Sequence, residues 1–116
     1  MLDTIPRTLE STVHRVSQVF PVLLVTGPRQ VGKTTLLERC AEAGRRIVSL
    51  DDLDERDLAQ RDPVLFLQRH PPPLIIDEVQ YGPQLFSAIK VAVDRTRQFG
   101  QYWLTGAQKF HLMRGV

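Results

Sequence analysis

Residues 27–34 read Gly27-Pro28-Arg29-Gln30-Val31-Gly32-Lys33-Thr34, and an apolar run at residues 22–25 ends one residue before them. This is the phosphate-loop pattern G-x-x-x-x-G-K-[ST], placed between a buried strand and the start of a helix. The backbone N–H groups of such a turn surround nucleotide phosphates, and the positive end of the following helix points at them. The stretch therefore predicts a nucleotide-binding loop, and its alternative is a chance glycine turn before an ordinary helix.

The loop pattern assigns a role to two of its side chains. Lys33 is expected to reach the β- and γ-phosphates of the nucleotide, and the hydroxyl of Thr34 is expected to hold Mg²⁺. The residues predicted to contact the nucleotide are Gly27, Pro28, Arg29, Gln30, Val31, Gly32, Lys33, Thr34 and Thr35.

A second motif, Leu74-Ile75-Ile76-Asp77-Glu78, indicates a central parallel strand that ends in two acids. Asp77 is expected to bind Mg²⁺, and Glu78 is expected to orient and deprotonate an attacking water. The alternative is a buried strand followed by a solvated acidic loop. Because this motif follows the loop in the right order, we expect the site to bind a nucleotide together with Mg²⁺.

Length, charge and cysteine content limit the number of domains, the binding partners and the cellular compartment that we expect. The 116 residues suffice for one domain, and a net charge of +2 alone makes no case for nucleic acid or anionic membranes. The single cysteine, Cys40, cannot form an internal disulfide, and its place beside leucines in a helix favours a packed core thiol. Without a signal peptide or a run of transmembrane length, we expect a cytoplasmic protein with no membrane contact.

The spacing of apolar residues and the positions of glycine and proline predict alternating strands and helices. This order indicates an α/β fold with a mainly parallel sheet between two helical layers. The predicted strands are 22–26, 46–50, 74–76 and 101–105. The predicted helices are 8–19, 32–43, 54–60, 63–69 and one opened by Pro83, with an apolar stripe of Leu85, Phe86, Ile89 and Val93. We expect an N-terminal helical segment over 1–20 and a P-loop core over 21–116.

Four stretches together resemble the N-terminal part of a prokaryotic AAA-type ATPase family. They are the loop at 27–35, Ser-Leu-Asp-Asp at 49–52, the acidic strand with its exit at 74–80, and Trp-Leu-Thr-Gly-Ala-Gln at 103–108. The resemblance implies a P-loop NTPase fold in which one extra strand separates the loop strand from the acid strand. It also implies a sensor residue after the fourth strand, which is Gln108 or Thr105 in this chain, acting with the catalytic Glu78 and Lys33.

The resemblance also implies parts beyond residue 116: a fifth strand, an arginine that completes the site, a lid and a further domain. The core is therefore expected to be incomplete at its C-terminus, with Arg29 and Arg114 as weak substitutes for the arginine. Relatives often carry serine where this chain has Ala107. From these departures we expect weak ATP binding, slow turnover and poor cover over Trp103.

Three functions compete. The first is Mg²⁺-dependent ATP hydrolysis coupled to an unknown protein partner or to self-association. The alternative is a nucleotide-binding interaction module with little or no hydrolysis. GTP hydrolysis is disfavoured because guanine readout resembles an Asn-Lys-x-Asp pattern and the chain has no asparagine.

Two clusters of charged residues, one basic and one acidic, could indicate nucleic-acid binding or a metal site. Direct nucleic-acid binding rests only on Arg45, Arg46, Arg95 and Arg97, which surface solubility explains equally well. The acids between Asp51 and Asp57 match no calcium-loop pattern, and we interpret them as a solvated loop and helix start.

Overall fold

The computed structural model describes residues 7–27 and 33–107 of the chain. The side chains of residues 7 and 33 are outside this description. The helices are α1 (Arg7–Ser17), α2 (Lys33–Cys40), α3 (Leu53–Arg61), α4 (Pro63–Arg69) and α5 (Leu85–Thr96). The strands are β1 (Val22–Thr26), β2 (Arg46–Ser49), β3 (Leu74–Asp77) and β4 (Tyr102–Gly106), and a 3-10 helix spans Val79–Tyr81.

The four strands form one parallel sheet in the order β1-β4-β3-β2. In register, Leu24 pairs with Leu104, and Leu104 pairs with Ile76. Strand β4 thus lies between the loop strand β1 and the acid strand β3, which confirms the inserted strand implied by the resemblance. All four carboxyl ends meet at one edge of the sheet, where open α/β sheets bind their ligands.

Alternate side chains of each strand point to opposite faces, and each face is covered by helices. One face joins Ile75 and Trp103 to α1 and α2 through a shared cluster with Val13, Leu36, Leu37 and Cys40. The other face packs against α3, α4 and α5, where Leu58, Phe66 and Ile89 contribute to a larger cluster that contains Leu74, Ile76, Tyr102 and Leu104. The chain therefore has the predicted three-layer α/β/α architecture.

Helix α5 confirms the predicted apolar stripe. Leu85 and Ile89 are buried, and Phe86 and Val93 pack against the core. The helix begins later than Pro83, because Leu85 and Phe86 donate backbone hydrogen bonds three residues back, to Gly82 and Pro83. Such bonds form a tighter turn than an α-helix, so the proline lies in the turn that precedes α5.

The amphipathic pattern of α1 is only partly correct. Val13 is buried at 4% exposure, but Leu9 and Phe20 keep 47% and 56% of their surface exposed. The helix ends at Ser17 and a turn follows, in which Gln18 and Val19 donate three residues back, to Arg15 and Val16. The turn carries Phe20 away from the helical stripe that the three- and four-residue spacing predicted.

Helix α2 ends at Cys40 rather than at residue 43, because Ala41 donates only three residues back, to Glu38, in a tighter turn. The turn leads to Arg45, whose side chain packs against the core. Its guanidinium lies 3.7 Å from the centroid of the Trp103 ring and donates to the carbonyl oxygen of Gly100 at 2.6 Å. It also pairs with the carboxylate of Glu42 at 2.8 Å. Gly44 does not cap the helix as predicted: its φ of +96° lies in a separate turn, closed by the hydrogen bond from the N–H of Arg45 to the carbonyl oxygen of Glu42.

The expectation of poor cover over Trp103 is wrong, and the same packing removes Arg45 from the arginines considered for nucleic-acid contact. Trp103 is only 2% exposed, because β4 is an interior strand and the guanidinium of Arg45 covers its ring. The Arg45 side chain is itself 1% exposed, so it cannot reach a phosphate backbone. Of the two arginines at 45 and 46, only Arg46 stays exposed.

Candidate nucleotide site

Strand β1 and helix α2 flank the phosphate-loop pattern as the sequence predicts. The strand ends at Thr26, Gly27 is buried with φ of 155°, and α2 begins at Lys33. The remaining loop residues, Pro28, Arg29, Gln30, Val31 and Gly32, lie outside the described residues, as do Gln108, Arg114 and the side chain of Lys33. Their predicted roles stay predictions.

The carboxylate of Asp77 is the centre of the described site. The hydroxyl of Thr34 donates to its Oδ1 at 2.6 Å, which joins the first turn of α2 to the end of β3. The hydroxyl of Thr105 donates to the same oxygen at 2.6 Å, and that of Ser49 donates to Oδ2 at 3.0 Å. Hydroxyls from α2, β4 and β2 therefore hold one carboxylate in a fixed orientation at the edge of the sheet.

Glu78 follows in a left-handed backbone conformation, with φ of 59° and ψ of 48°. A residue other than glycine rarely adopts this conformation, and such strain is often found at functional sites. Its backbone N–H donates to the hydroxyl of Thr105 at 3.1 Å, and its carboxylate accepts from the amide of Gln80 at 2.7 Å. The residue is 6% exposed, so the backbone reversal keeps its carboxylate in the interior of the site.

A third carboxylate, that of Asp51, lies close to the carboxylates of Asp77 and Glu78. Oxygen atoms of Asp51, Asp77 and Glu78 all lie within 4.8 Å of one another. Asp51 is nevertheless exposed in the turn after β2, so the prediction of a solvated loop holds for it. It also holds for Asp52, which caps α3 by accepting from the backbone N–H groups of Asp54 and Glu55.

The donor set suits a hard divalent cation. The Thr34 hydroxyl and an Asp77 carboxylate oxygen already lie together, and Mg²⁺ prefers oxygen ligands of these two kinds. The two residues fit the predicted metal site at the level of chemistry. Thr35, the last residue of the predicted loop contacts, is exposed on α2.

Sequence reasoning missed the contacts of Ser49 and Gln80. Both residues stand in the stretches that carry the family resemblance, at the carboxyl ends of two neighbouring strands. Since those ends meet at one edge, a polar residue there was the signal that could have identified them. Of the two sensor candidates, Thr105 contacts both acids through its one hydroxyl.

The parallel sheet with an inserted strand, the strand-loop-helix unit and the acid beside it define a P-loop NTPase-like fold. The family model described as AAA domain matches residues 19–116, and the chain belongs to that family. Membership supports nucleotide binding as its general function.

Two curated proteins resemble the chain, one from Mycobacterium bovis and one from Mycobacterium tuberculosis, and both are named as uncharacterized proteins. Each is 35% identical over 101 residues, which cover 85% of this chain. The chain spans only 22% of the length of these relatives. Within residues 7–27 and 33–107, no helix is long and apolar enough to cross a membrane.

Proposed function

We propose that this domain binds ATP with Mg²⁺ and hydrolyses it, in the service of a protein partner or a second copy of the chain. One observation carries the proposal: the Thr34 hydroxyl of the phosphate-loop helix bonds directly to the Asp77 carboxylate at 2.6 Å. Two motifs 43 residues apart in the sequence thus meet at one point, with a buried glutamate next to it.

The binding residues act by charge and by position. In this proposal the ammonium group of Lys33 binds the β- and γ-phosphates, and the N–H groups at the start of α2 add a positive field. Thr34 and Asp77 would hold Mg²⁺, which when bound neutralises charge on the phosphates. Ser49 and Thr105 keep the Asp77 carboxylate aimed toward α2 by donating to its two oxygens.

Glu78 is the proposed general base. A carboxylate accepts a proton from water only if it is held within hydrogen-bond reach of that water, so its orientation matters as much as its charge. The left-handed backbone and the contacts with Thr105 and Gln80 restrict this orientation. Thr105 is the proposed sensor, since its hydroxyl donates to the Asp77 carboxylate and accepts from the backbone N–H of Glu78.

The variant Glu78→Gln tests hydrolysis. The amide keeps the shape of the side chain but is not a base, so kcat for ATP should fall by about 10²-fold to 10⁴-fold. The affinity for a slowly hydrolysed ATP analogue should stay within about twofold of the wild type, because the phosphate contacts are intact. Phosphate release and analogue titration measure the two quantities. Glu38→Gln, an exposed change on α2, is the matched control.

The outcomes separate the competing functions. Wild-type turnover in Glu78→Gln would contradict the proposed base. ATP binding without turnover in either protein would favour the nucleotide-binding interaction module. Loss of analogue binding in Glu78→Gln alone would assign Glu78 a structural or metal-binding role instead.

A further inference from the structure

The side chain of Gln80 lies between Glu78 and the end of β4. Its amide nitrogen donates to Glu78 Oε1 at 2.7 Å, and its amide oxygen accepts from the backbone N–H of Ala107 at 3.2 Å. Gln80 lies on the 3-10 helix that begins directly after Glu78, and Ala107 directly follows β4. One side chain thus bridges the exits of the acid strand and the inserted strand.

The two partners fix which way the amide points. A backbone N–H can only donate, so the amide oxygen must face Ala107. The NH₂ group then faces the carboxylate of Glu78, which when ionised can only accept. Hydrogen bonds to an ionised group are the shorter and stronger kind, and the 2.7 Å distance agrees with this.

The neighbouring contact strengthens the connection. The backbone N–H of Glu78 donates to the hydroxyl of Thr105, two residues before Ala107 on the same chain segment. The backbone of Glu78 is therefore connected to β4, and its carboxylate is connected through Gln80 to the residue that follows β4. A shift of that segment would move the carboxylate as well, because the Gln80 amide cannot keep both bonds otherwise.

We propose that Gln80 is a positioning residue, which holds the Glu78 carboxylate in its working orientation and couples it to the segment that leaves β4. The proposal rests on the hydrolytic function proposed above. It assigns Gln80 no contact with the nucleotide, so its loss should lower kcat and leave the KM for Mg·ATP unchanged.

Two substitutions separate positioning from simple structural support. Gln80→Met keeps the length of the side chain but removes both hydrogen bonds. Gln80→Glu keeps an acceptor for the Ala107 N–H but removes the donor to Glu78. If Gln80 positions the carboxylate, both variants should lose about 10-fold to 100-fold in kcat, the range typical of residues that orient a functional group. The KM of Gln80→Met should stay within twofold.

Gln60→Met is the matched control. The amide of Gln60 donates to the carbonyl oxygen of Tyr81 at 2.6 Å, so it supports the same 3-10 helix from outside the site. Its kcat and KM should equal those of the wild type. A wild-type kcat in Gln80→Glu would show that only the bond to Ala107 matters, and would overturn the proposal. A kcat of Gln80→Met equal to the wild type would overturn it as well.

A nuclear magnetic resonance measurement tests the contact without turnover. The side-chain NH₂ signals of Gln80, assigned from their loss in Gln80→Met, should shift when Glu78 is changed to Gln. Those of Gln60 should not. Unchanged Gln80 signals would overturn the proposal even in an active enzyme. If the wild type shows no ATP turnover but the Gln80 signals do shift, the proposed hydrolytic function is wrong. The contact by which Gln80 holds the Glu78 carboxylate is then still supported.

Discussion

Asp77 illustrates, at the scale of single residues, how one carboxylate organises a site. It accepts hydrogen bonds from three hydroxyls on three different elements, those of Ser49, Thr34 and Thr105. The sequence predicted Asp77 and Thr34 as partners of one metal ion. It did not predict Ser49, because a serine at a strand end is common and only the parallel pairing of β2 with β3 brings it opposite Asp77.

The ion pair of Glu42 and Arg45 shows a residue whose effect depends on pH. The hydrogen bond from Arg45 lowers the pKa of the Glu42 carboxyl below its ordinary value of 4.5. A carboxyl whose pKa is lowered by folding stabilises the protein above its unfolded pKa. That stability is lost as pH falls through the folded pKa.

We therefore expect Glu42→Gln to lower the free energy of unfolding at pH 7 by about 0.5 kcal/mol, since the Glu42 side chain is half exposed and solvent screens the pair. The difference from the wild type should shrink as the pH falls below the ordinary pKa of 4.5. Urea unfolding at several pH values measures it. Glu38→Gln is the control, and a deficit of constant size at all these pH values would rule out the ion pair as its cause.

At the scale of elements, the short turn from β3 to α5 positions the site. Glu78 reverses the chain in the left-handed conformation, the 3-10 helix follows, and Gly82 ends it. Gly82 is buried, and a Cβ atom there would lie 2.8 Å from Leu50 Cδ1 and 3.2 Å from Ala59 Cβ. The turn therefore needs glycine for close packing, although its φ of −135° is one that any residue adopts.

Gly82→Ala should accordingly destabilise the protein by about 1–3 kcal/mol through overpacking. The same variant should lower kcat, because a displaced 3-10 helix moves Gln80 relative to Glu78. Thermal or urea unfolding and phosphate release measure the two effects. Ser87→Ala, at an exposed position of α5, is the control. Wild-type stability in Gly82→Ala would mean that Leu50 and Ala59 relax without cost.

Local patterns predicted most elements and missed those set by contacts that are distant in sequence. The apolar runs and the prolines gave the strands and the break between α3 and α4 within one or two residues. The burial of Arg45 depends on its contact with Trp103, 58 residues later, which no local pattern reveals. The same limit explains Gln80, whose partner Ala107 lies 27 residues away.

At the scale of the whole molecule, the sheet order brings four distant segments to one edge. Strand β4 lies between β1 and β3. It brings Thr105, and Ala107 directly after it, to a site whose loop and acids were predicted from the sequence. The fold class and the loop strand, helix and acid strand followed from two short motifs. The hydrogen-bond network between them did not, because it depends on strand register.

The central claim is that the phosphate loop binds a nucleotide beside Asp77 and Glu78, and Lys33→Ala tests it most directly. Titration of the wild type, Lys33→Ala and Lys90→Ala with a fluorescent ATP analogue and Mg²⁺ gives the three affinities. Lys90 is the matched control, because it is exposed on α5 and pairs only with Asp94 in the contacts described.

We predict that Lys33→Ala loses about 100-fold or more in affinity, equivalent to roughly 2.7 kcal/mol of charge-assisted binding. Lys90→Ala should bind like the wild type. Wild-type affinity in Lys33→Ala would contradict the assignment of residues 27–34 as a phosphate-binding loop, and with it the nucleotide site built around Asp77.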